Sequence, residues 1–325
     1  MKTNPILLSV LAGILAAVVT FFLCLLLLPA PAREETKRAA PSPLLGAEWG
    51  APAPPSAYEL NLNDLGTQLL FSTVPIVSRK ATGTEQGTGF IFQYEKDGNT
   101  YPLLVTNRHI VEDAMEGAFY MVSARDGKPD TKNPVAIHFG GSLFVYDPCG
   151  PDLAAALIGP LVNQTQAQGK PLFFRGLSAK LIPDRKTFSG VGAIEEIVFL
   201  GYPRGLMDPK NRTPLIRRGI TATPPWNNFE GRPVFLVDAN VFEGSSGSPV
   251  FIYNRSFAAA GALAAPQERL LFLGVVTGTI KETDPRQGTQ TYLGLGIVIN
   301  SLAVYDCIEE AVKKALAKEA GKAGR

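Results

Sequence analysis

Between Leu69 and Ile299 short apolar runs alternate with clusters of glycine, proline, asparagine and aspartate. In the first half the runs are Phe71–Val77, Gly89–Tyr94, Tyr101–Thr106 and Val135–Phe139, with a turn at Asp97-Gly98-Asn99. In the second they are Ile197–Pro203, Ile216–Thr221, Pro233–Asp238, Pro249–Tyr253, Leu271–Thr279 and Thr291–Ile299. Runs of this length, bounded by turn formers, predict strands at the spacing of an all-β barrel or sandwich. A short helical turn is expected near Arg108, and otherwise no helix-period segment interrupts the strands. After the last of them Val304, Ile308, Ala311, Val312, Ala315 and Leu316 recur at helical spacing. That pattern predicts an amphipathic C-terminal helix packed on the β domain, with its lysines outward.

The first sixty residues break this pattern. Ile6 to Leu28 carries no charge and is bounded by Pro5 and Pro29. It exceeds both the roughly 20 residues a helix needs to cross a bilayer and the ~7–15 apolar residues of a cleaved signal peptide. Residues 1–29 are therefore expected to form an uncleaved signal anchor, a single transmembrane helix. The alternative is secretion after cleavage at Ala30-Pro31-Ala32. Residues 30–57 are rich in proline and alanine and cannot bury a core, so they predict an extended tether. Residues 58–325 remain as the folded domain. Arg33, Lys37 and Arg38 follow the span and only Lys2 precedes it, a balance that by itself puts the C-terminal side in the cytoplasm.

Composition narrows the function classes. The net charge is +2, and no basic stripe with interleaved aromatics marks a nucleic-acid surface. Cys24, Cys149 and Cys307 are the only cysteines, and Cys24 lies in the apolar run, so disulfides do not staple this fold. Two histidines and scattered cysteines give no metal-ligand spacing. The tripeptides Asn163-Gln-Thr and Asn254-Arg-Ser are formal glycosylation acceptors read here as chance occurrences.

The chemistry-bearing stretch is Phe242-Glu243-Gly244-Ser245-Ser246-Gly247-Ser248-Pro249, a small-residue turn between two apolar runs. Glycine there lets the backbone take φ > 0 and gather N–H groups toward one point. A serine at the apex then lies beside them, which is what acyl transfer requires: a nucleophile next to an oxyanion hole. Gly-Ser-Ser-Gly-Ser-Pro resembles the Gly-Asp-Ser-Gly-Gly-Pro signature of trypsin-like, chymotrypsin-fold serine proteases. Gly87-Thr-Gly-Phe-Ile-Phe92 followed by Thr106-Asn-Arg-His-Ile-Val111 resembles the first-barrel signature of the bacterial members. Pro151-Asp-Leu-Ala-Ala-Ala-Leu157 is similar to their Asp-Leu-Ala-Val-Leu strand start, and Gly201-Tyr-Pro-Arg-Gly205 to a turn common among them. The resemblance covers roughly residues 66–310.

That resemblance implies two six-stranded antiparallel β-barrels with the site between them. It implies Ser246 as nucleophile, His109 as general base, Asp152 as the group that orients His109, and the N–H groups of Gly244 and Ser246 as the oxyanion hole. Asp147, Asp113 and Asp130 are the competing carboxylates, and His138, in alternating strand sequence, is read as structural. The order His109, Asp152, Ser246 has gaps within about two residues of those in the chymotrypsin arrangement. An α/β-hydrolase would need the order Ser, Asp, His and a Gly-x-Ser-x-Gly elbow, and both fail here. By the same resemblance Thr277, Gly278 and Thr279 line the specificity pocket and Asn240 sits at its base. A neutral Asn240 argues against a Lys or Arg preference and for a small or apolar side chain. Ser245 replaces the acidic residue of the mammalian signature, so activation by a newly cut N-terminus is not expected.

The expected function is peptide-bond cleavage with no cofactor, by a domain on the extracytoplasmic side of the membrane, since export fits the resemblance. The residues after Ser246 are mostly needed to finish the second barrel and leave little room for an appended peptide-binding domain. Two rival readings use the same residues: an esterase, and a protease-like domain that binds protein or peptide without cutting it.

Overall fold

A computed structural model describes residues 60–256, 267–283 and 290–323. The expected anchor at Ile6–Leu28 and the tether at 30–57 lie outside them. No helix among the described residues is long and apolar enough to cross a membrane.

The chain opens with helix α1 (Leu65–Leu70), capped by the Asp64 carboxylate on the Thr67 N–H. The first half then lays down β1 (Thr73–Lys80), β2 (Gly83–Lys96), β3 (Asn99–Thr106), β4 (Glu116–Arg125), β5 (Lys128–Gly140) and β6 (Ala154–Leu157). A four-residue helix, α2 (Arg108–Val111), follows β3 where the helical turn was expected. Two-residue Asp-Gly turns join β2 to β3 and β4 to β5, with Asp97 and Asp126 at φ 51° and 52° and Gly98 and Gly127 at 76° and 73°. Positive φ at both positions matches the twist of the flanking strands and fixes their register.

These strands pair in the order β5-β4-β1-β2-β3-β6, all antiparallel. Short strands β7 (Leu172–Phe173) and β8 (Leu177–Ser178) lie against β4 and β2. The expected closed six-stranded barrel needs correction here. Among the described residues β5 and β6 share no ladder, and the sheet stays open; one isolated antiparallel bridge, Val145 to Ala155, links the segment after β5 to β6. Gly141 packs against the Ala114 carbonyl, which a Cβ would approach to 2.4 Å. The chain leaves the sheet there, before it can run beside the four-residue β6.

Besides α1, two helices went unforeseen, α3 (Gly159–Ala167) and α4 (Arg185–Ser189). The first begins Gly159-Pro160, which reads as a turn, and buries only Thr165, so it shows no apolar stripe. The second is a five-residue helix capped by Asp184. The second half is a closed antiparallel barrel, as expected. It comprises β9 (Glu196–Gly201), β10 (Leu215–Thr221), β11 (Val234–Asp238), β12 (Pro249–Ser256), β13 (Gln267–Thr283) and β14 (Gln290–Asn300). Its strand order is β10-β11-β14-β13-β12-β9. Helix α5 (Ser301–Ala323) buries Val304, Ile308, Ala311 and Val312, the predicted stripe.

Strand alternation sorts the apolar side chains into three clusters. Ile91 and Leu104 fill the first barrel with Val74, Ile76 and Phe119. Phe199, Phe235, Val250 and Ile252 fill the second. The opposite faces of β2 and β3, carrying Phe90, Phe92, Leu103 and Val105, meet Phe251, Phe272, Val275 and helix α5 in a third cluster that joins both barrels. Phe90 and Phe272 lie 5.5 Å apart across it. Phe272 is fully buried between Phe90 and Phe251. Truncation to Ala is expected to cost about 3–5 kcal/mol, read by urea unfolding. A loss below ~1 kcal/mol would show that the shared core does not carry the joint between the barrels.

Candidate functional site

The turn from Phe242 to Ser248 is held peptide by peptide. The Glu243 carbonyl accepts the Arg204 N–H at 2.7 Å, and the Ser245 carbonyl accepts the Ser248 N–H at 3.0 Å. The Ser246 carbonyl accepts the Thr88 N–H at 2.8 Å, and the Gly244 carbonyl accepts the Thr88 hydroxyl at 2.9 Å. In a trans peptide the N–H points opposite the C=O. Fixing the carbonyls of 243 and 245 therefore aims the N–H groups of Gly244 and Ser246 the other way. Neither N–H has a protein acceptor among the described residues.

Glycine is required at two of these positions. Gly244 has φ 84°, and a Cβ there would stand 2.6 Å from the Tyr202 carbonyl. Gly247 has φ 87°, and a Cβ would stand 1.8 Å from the Thr88 carbonyl. Between them Ser246 is half-buried and Ser245 fully buried. The Ser245 hydroxyl has no partner among the described residues, and no carboxylate stands in its place.

His109 enters from the other barrel. It sits in α2, directly after β3, where Asn107 donates from its side chain to the Asp152 carbonyl at 2.7 Å. Lys80 donates to the His109 carbonyl. The Asp152 carboxylate accepts the His109 N–H on Oδ1 at 2.9 Å and lies 2.6 Å from His109 Nδ1 on Oδ2. Oδ2 also accepts the Thr277 hydroxyl at 2.6 Å. Burial pushes the Asp152 carboxyl up. The hydrogen bond from the His109 ring, the electrostatic pull of that ring, the Thr277 hydroxyl and the His109 amide outweigh it, and the net direction is down.

Thr277 reaches this position through a bulge. In β13 Val276 pairs with Val298 and Gly278 with Ile297, so Thr277 is the extra residue, and its side chain turns out of the ladder. Its carbonyl receives the Ser246 hydroxyl at 3.4 Å. Thr277 therefore touches both Asp152 and Ser246, and brings the three expected site residues together.

The other expected positions divide. Gly278 faces open space, whereas the Thr279 hydroxyl is spent on the Leu295 carbonyl at 2.9 Å. Asn240 is exposed beside Gly294. Of the competing carboxylates, Asp147 accepts the Cys149 N–H, Asp130 holds Asn133 and Arg125, and Asp113 sits at φ 57° just after α2. His138 lies on the solvent face of β5. Cys149 and Cys307 are unpaired, and burial pushes the Cys307 thiol up to about 11. Sequence reading gave no role to Thr88, to the Arg204 N–H or to the Thr277 hydroxyl. The Gly-Thr-Gly and Gly-Tyr-Pro-Arg-Gly motifs were the signals available for the first two.

The Asp152 shift carries a sign that can be measured. Its folded value lies below its unfolded value, so its stabilisation is complete above the unfolded value, about 3.9, and is lost as pH falls through the folded one. Thr277→Val removes one donor and is expected to cost about 1.5–3 kcal/mol at pH 7. By urea unfolding, the gap to wild type should narrow below pH ~4. A gap that is the same at pH 3 and pH 7 would contradict a charged, Thr277-bonded Asp152.

The family model of the trypsin-like peptidase domain matches residues 87–257, just over half of the chain. No curated protein sequence matches it. Among solved structures, the HtrA-type protease AlgW with a tripeptide is 16% identical, with 77% of this chain and 62% of that one covered and a TM-score of 0.43. This chain thus spans about three-fifths of the AlgW chains it matches. A serine endoprotease from Yersinia pestis is 16% identical over 79% of this chain and 69% of its own, with a TM-score of 0.41. The Rv3671c protease from M. tuberculosis, active form, is 20% identical over 80% and 93%, with a TM-score of 0.37. By the family match, which takes in His109, Asp152 and the turn around Ser246, the chain belongs to the trypsin-like peptidase domain family.

Proposed function

We propose that the protein is a serine endopeptidase that cleaves peptide bonds through Ser246, His109 and Asp152. The observation that carries this reading is the convergence on Thr277, whose hydroxyl holds the carboxylate and whose carbonyl holds the serine. An ionised carboxylate only accepts hydrogen bonds, so His109 Nδ1 bears the proton it shares with Asp152. Nε2 of the neutral ring is then left as the base. In this reading the Ser246 hydroxyl leaves its long bond to the Thr277 carbonyl and donates to that nitrogen.

Ser246 Oγ attacks the peptide carbonyl and passes its proton to Nε2, and Asp152 stabilises the imidazolium that forms. The N–H groups of Gly244 and Ser246 receive the developing oxyanion. His109 returns the proton to the leaving amine, and water then resolves the acyl-enzyme by the same steps. Asn240 offers no charge to a Lys or Arg side chain, so small or apolar residues are the expected preference. The Ile6–Leu28 segment and the proline-rich stretch after it support, by sequence alone, a signal anchor and tether; the extracytoplasmic side is the one that fits an exported peptidase, against the Lys and Arg balance around the span.

Hydrolysis of a peptide panel by the full-length protein tests the reading. His109→Ala, Asp152→Asn and Ser246→Ala should each lower kcat by about 10⁴-fold or more while the protein stays folded. Cleavage of esters but no peptides would favour an esterase. Turnover of neither by a folded wild type would favour a binding domain.

A further inference from the structure

Among the described residues, Thr88 is the one residue of the first barrel that hydrogen-bonds to the turn bearing Ser246. It holds the turn three ways. Its N–H donates to the Ser246 carbonyl at 2.8 Å, its hydroxyl donates to the Gly244 carbonyl at 2.9 Å, and its own carbonyl closes over Gly247. The hydroxyl's direction is not free. Thr88 Oγ1 accepts the Tyr202 N–H at 3.0 Å, which leaves its single proton for the Gly244 carbonyl.

The threonine is itself seated from every side. It is fully buried, and the Thr106 hydroxyl donates to its carbonyl at 2.8 Å. Gly201 leaves room for it: a Cβ there would stand 2.8 Å from Thr88 Oγ1 and 2.0 Å from the Ser248 hydroxyl. The Tyr202 hydroxyl ties the same corner to the Thr73 carbonyl of β1 at 3.1 Å. Thr88 thus joins the Tyr202 turn and the Ser246 turn at its hydroxyl, and the strand leading to His109 at its carbonyl.

We propose that the Thr88 hydroxyl is a positioning group for the oxyanion site. It holds the Gly244–Ser245 peptide in the orientation that keeps the flanking Gly244 and Ser246 N–H groups aimed at the reacting carbonyl. The assignment rests on the reading of Ser246 as the nucleophile. Thr88 touches neither substrate nor the reacting atoms. Its backbone N–H bond to Ser246 survives any side-chain change, so the hydroxyl can be tested alone. A valine keeps the shape but leaves two buried groups, the Gly244 C=O and the Tyr202 N–H, without their partner.

The experiment compares Thr88→Val and Thr88→Ser in the full-length protein, with kcat and KM measured separately on a peptide that the wild type cuts. Removing one oxyanion donor costs about 10²–10³-fold in kcat, and loss of the group that orients the donors should approach the lower figure. Thr88→Val is expected to lower kcat by about 10²-fold with KM within ~3-fold, and Thr88→Ser to restore kcat to within ~3-fold. A purely structural role would spoil KM and stability together and would not be rescued by serine. Thr88→Val within ~3-fold of wild type in kcat would overturn the assignment, as would Thr88→Ser as slow as valine though folded. If valine does not fold, Thr88→Ala gives the same reading with less crowding. Failure of both to fold would make Thr88 a folding determinant and overturn its positioning role. A wild type that cuts nothing would sink the peptidase reading first, and this assignment with it.

Discussion

The fixed direction of four consecutive peptide planes is the constraint on which the rest of this molecule depends. An oxyanion site made of backbone N–H groups has no side chain to aim it, so it must be aimed by what binds the carbonyls on the reverse side. Here the carbonyls that back those N–H groups, Glu243 and Ser245, are bonded to Arg204 and Ser248, and the carbonyls of the two adjoining peptides, Gly244 and Ser246, are bonded to Thr88. Two of the four bonds come from the other barrel. The barrels are consequently more than supports on either side of a cleft, since each holds half of the geometry that the other presents. The shared core around Phe90, Phe251 and Phe272 lies beneath this joint and keeps the two halves in register.

The acid–base half follows the same logic. Asp152 is held by the His109 ring and amide from its own barrel and by the Thr277 hydroxyl from the second. Burial alone would raise its carboxyl, and these donors reverse the direction. Thr277 can serve only because β13 carries a bulge at that residue, which turns its side chain out of the ladder. A regular strand would have pointed it elsewhere. The bulge therefore couples strand geometry to the ionisation of a carboxylate that no strand of that barrel carries.

Much of this was legible in the sequence, for identifiable reasons. Strands with β-branched and aromatic runs bounded by Gly, Pro and Asp were readable because burial on a pleated sheet imposes that pattern locally. That His109, Asp152 and the Ser246 turn would lie together was readable because the proposed chemistry needs fixed residue types beside glycines whose conformations are local. Closure of the first barrel was not legible, because it depends on where the chain departs at Gly140 and Gly141, a tertiary packing effect. Helix α3 was hidden by its Gly-Pro start and the lack of an apolar stripe. The second role of Thr277 was missed because a bulge depends on pairing with a distant strand. Thr88 stood inside a recognisable motif, yet the partners of its hydroxyl lie more than a hundred positions away, and local spacing does not encode them.

The most direct test of the central claim is covalent labelling of the full-length protein with a fluorophosphonate, which reacts with a serine that a base has activated. The account expects Ser246 to be labelled in the wild type, and labelling to be lost in both Ser246→Ala and His109→Ala. A folded wild type that takes up no probe, or a His109→Ala protein labelled as fast as wild type, would contradict an activated Ser246 held against the base from the opposite barrel.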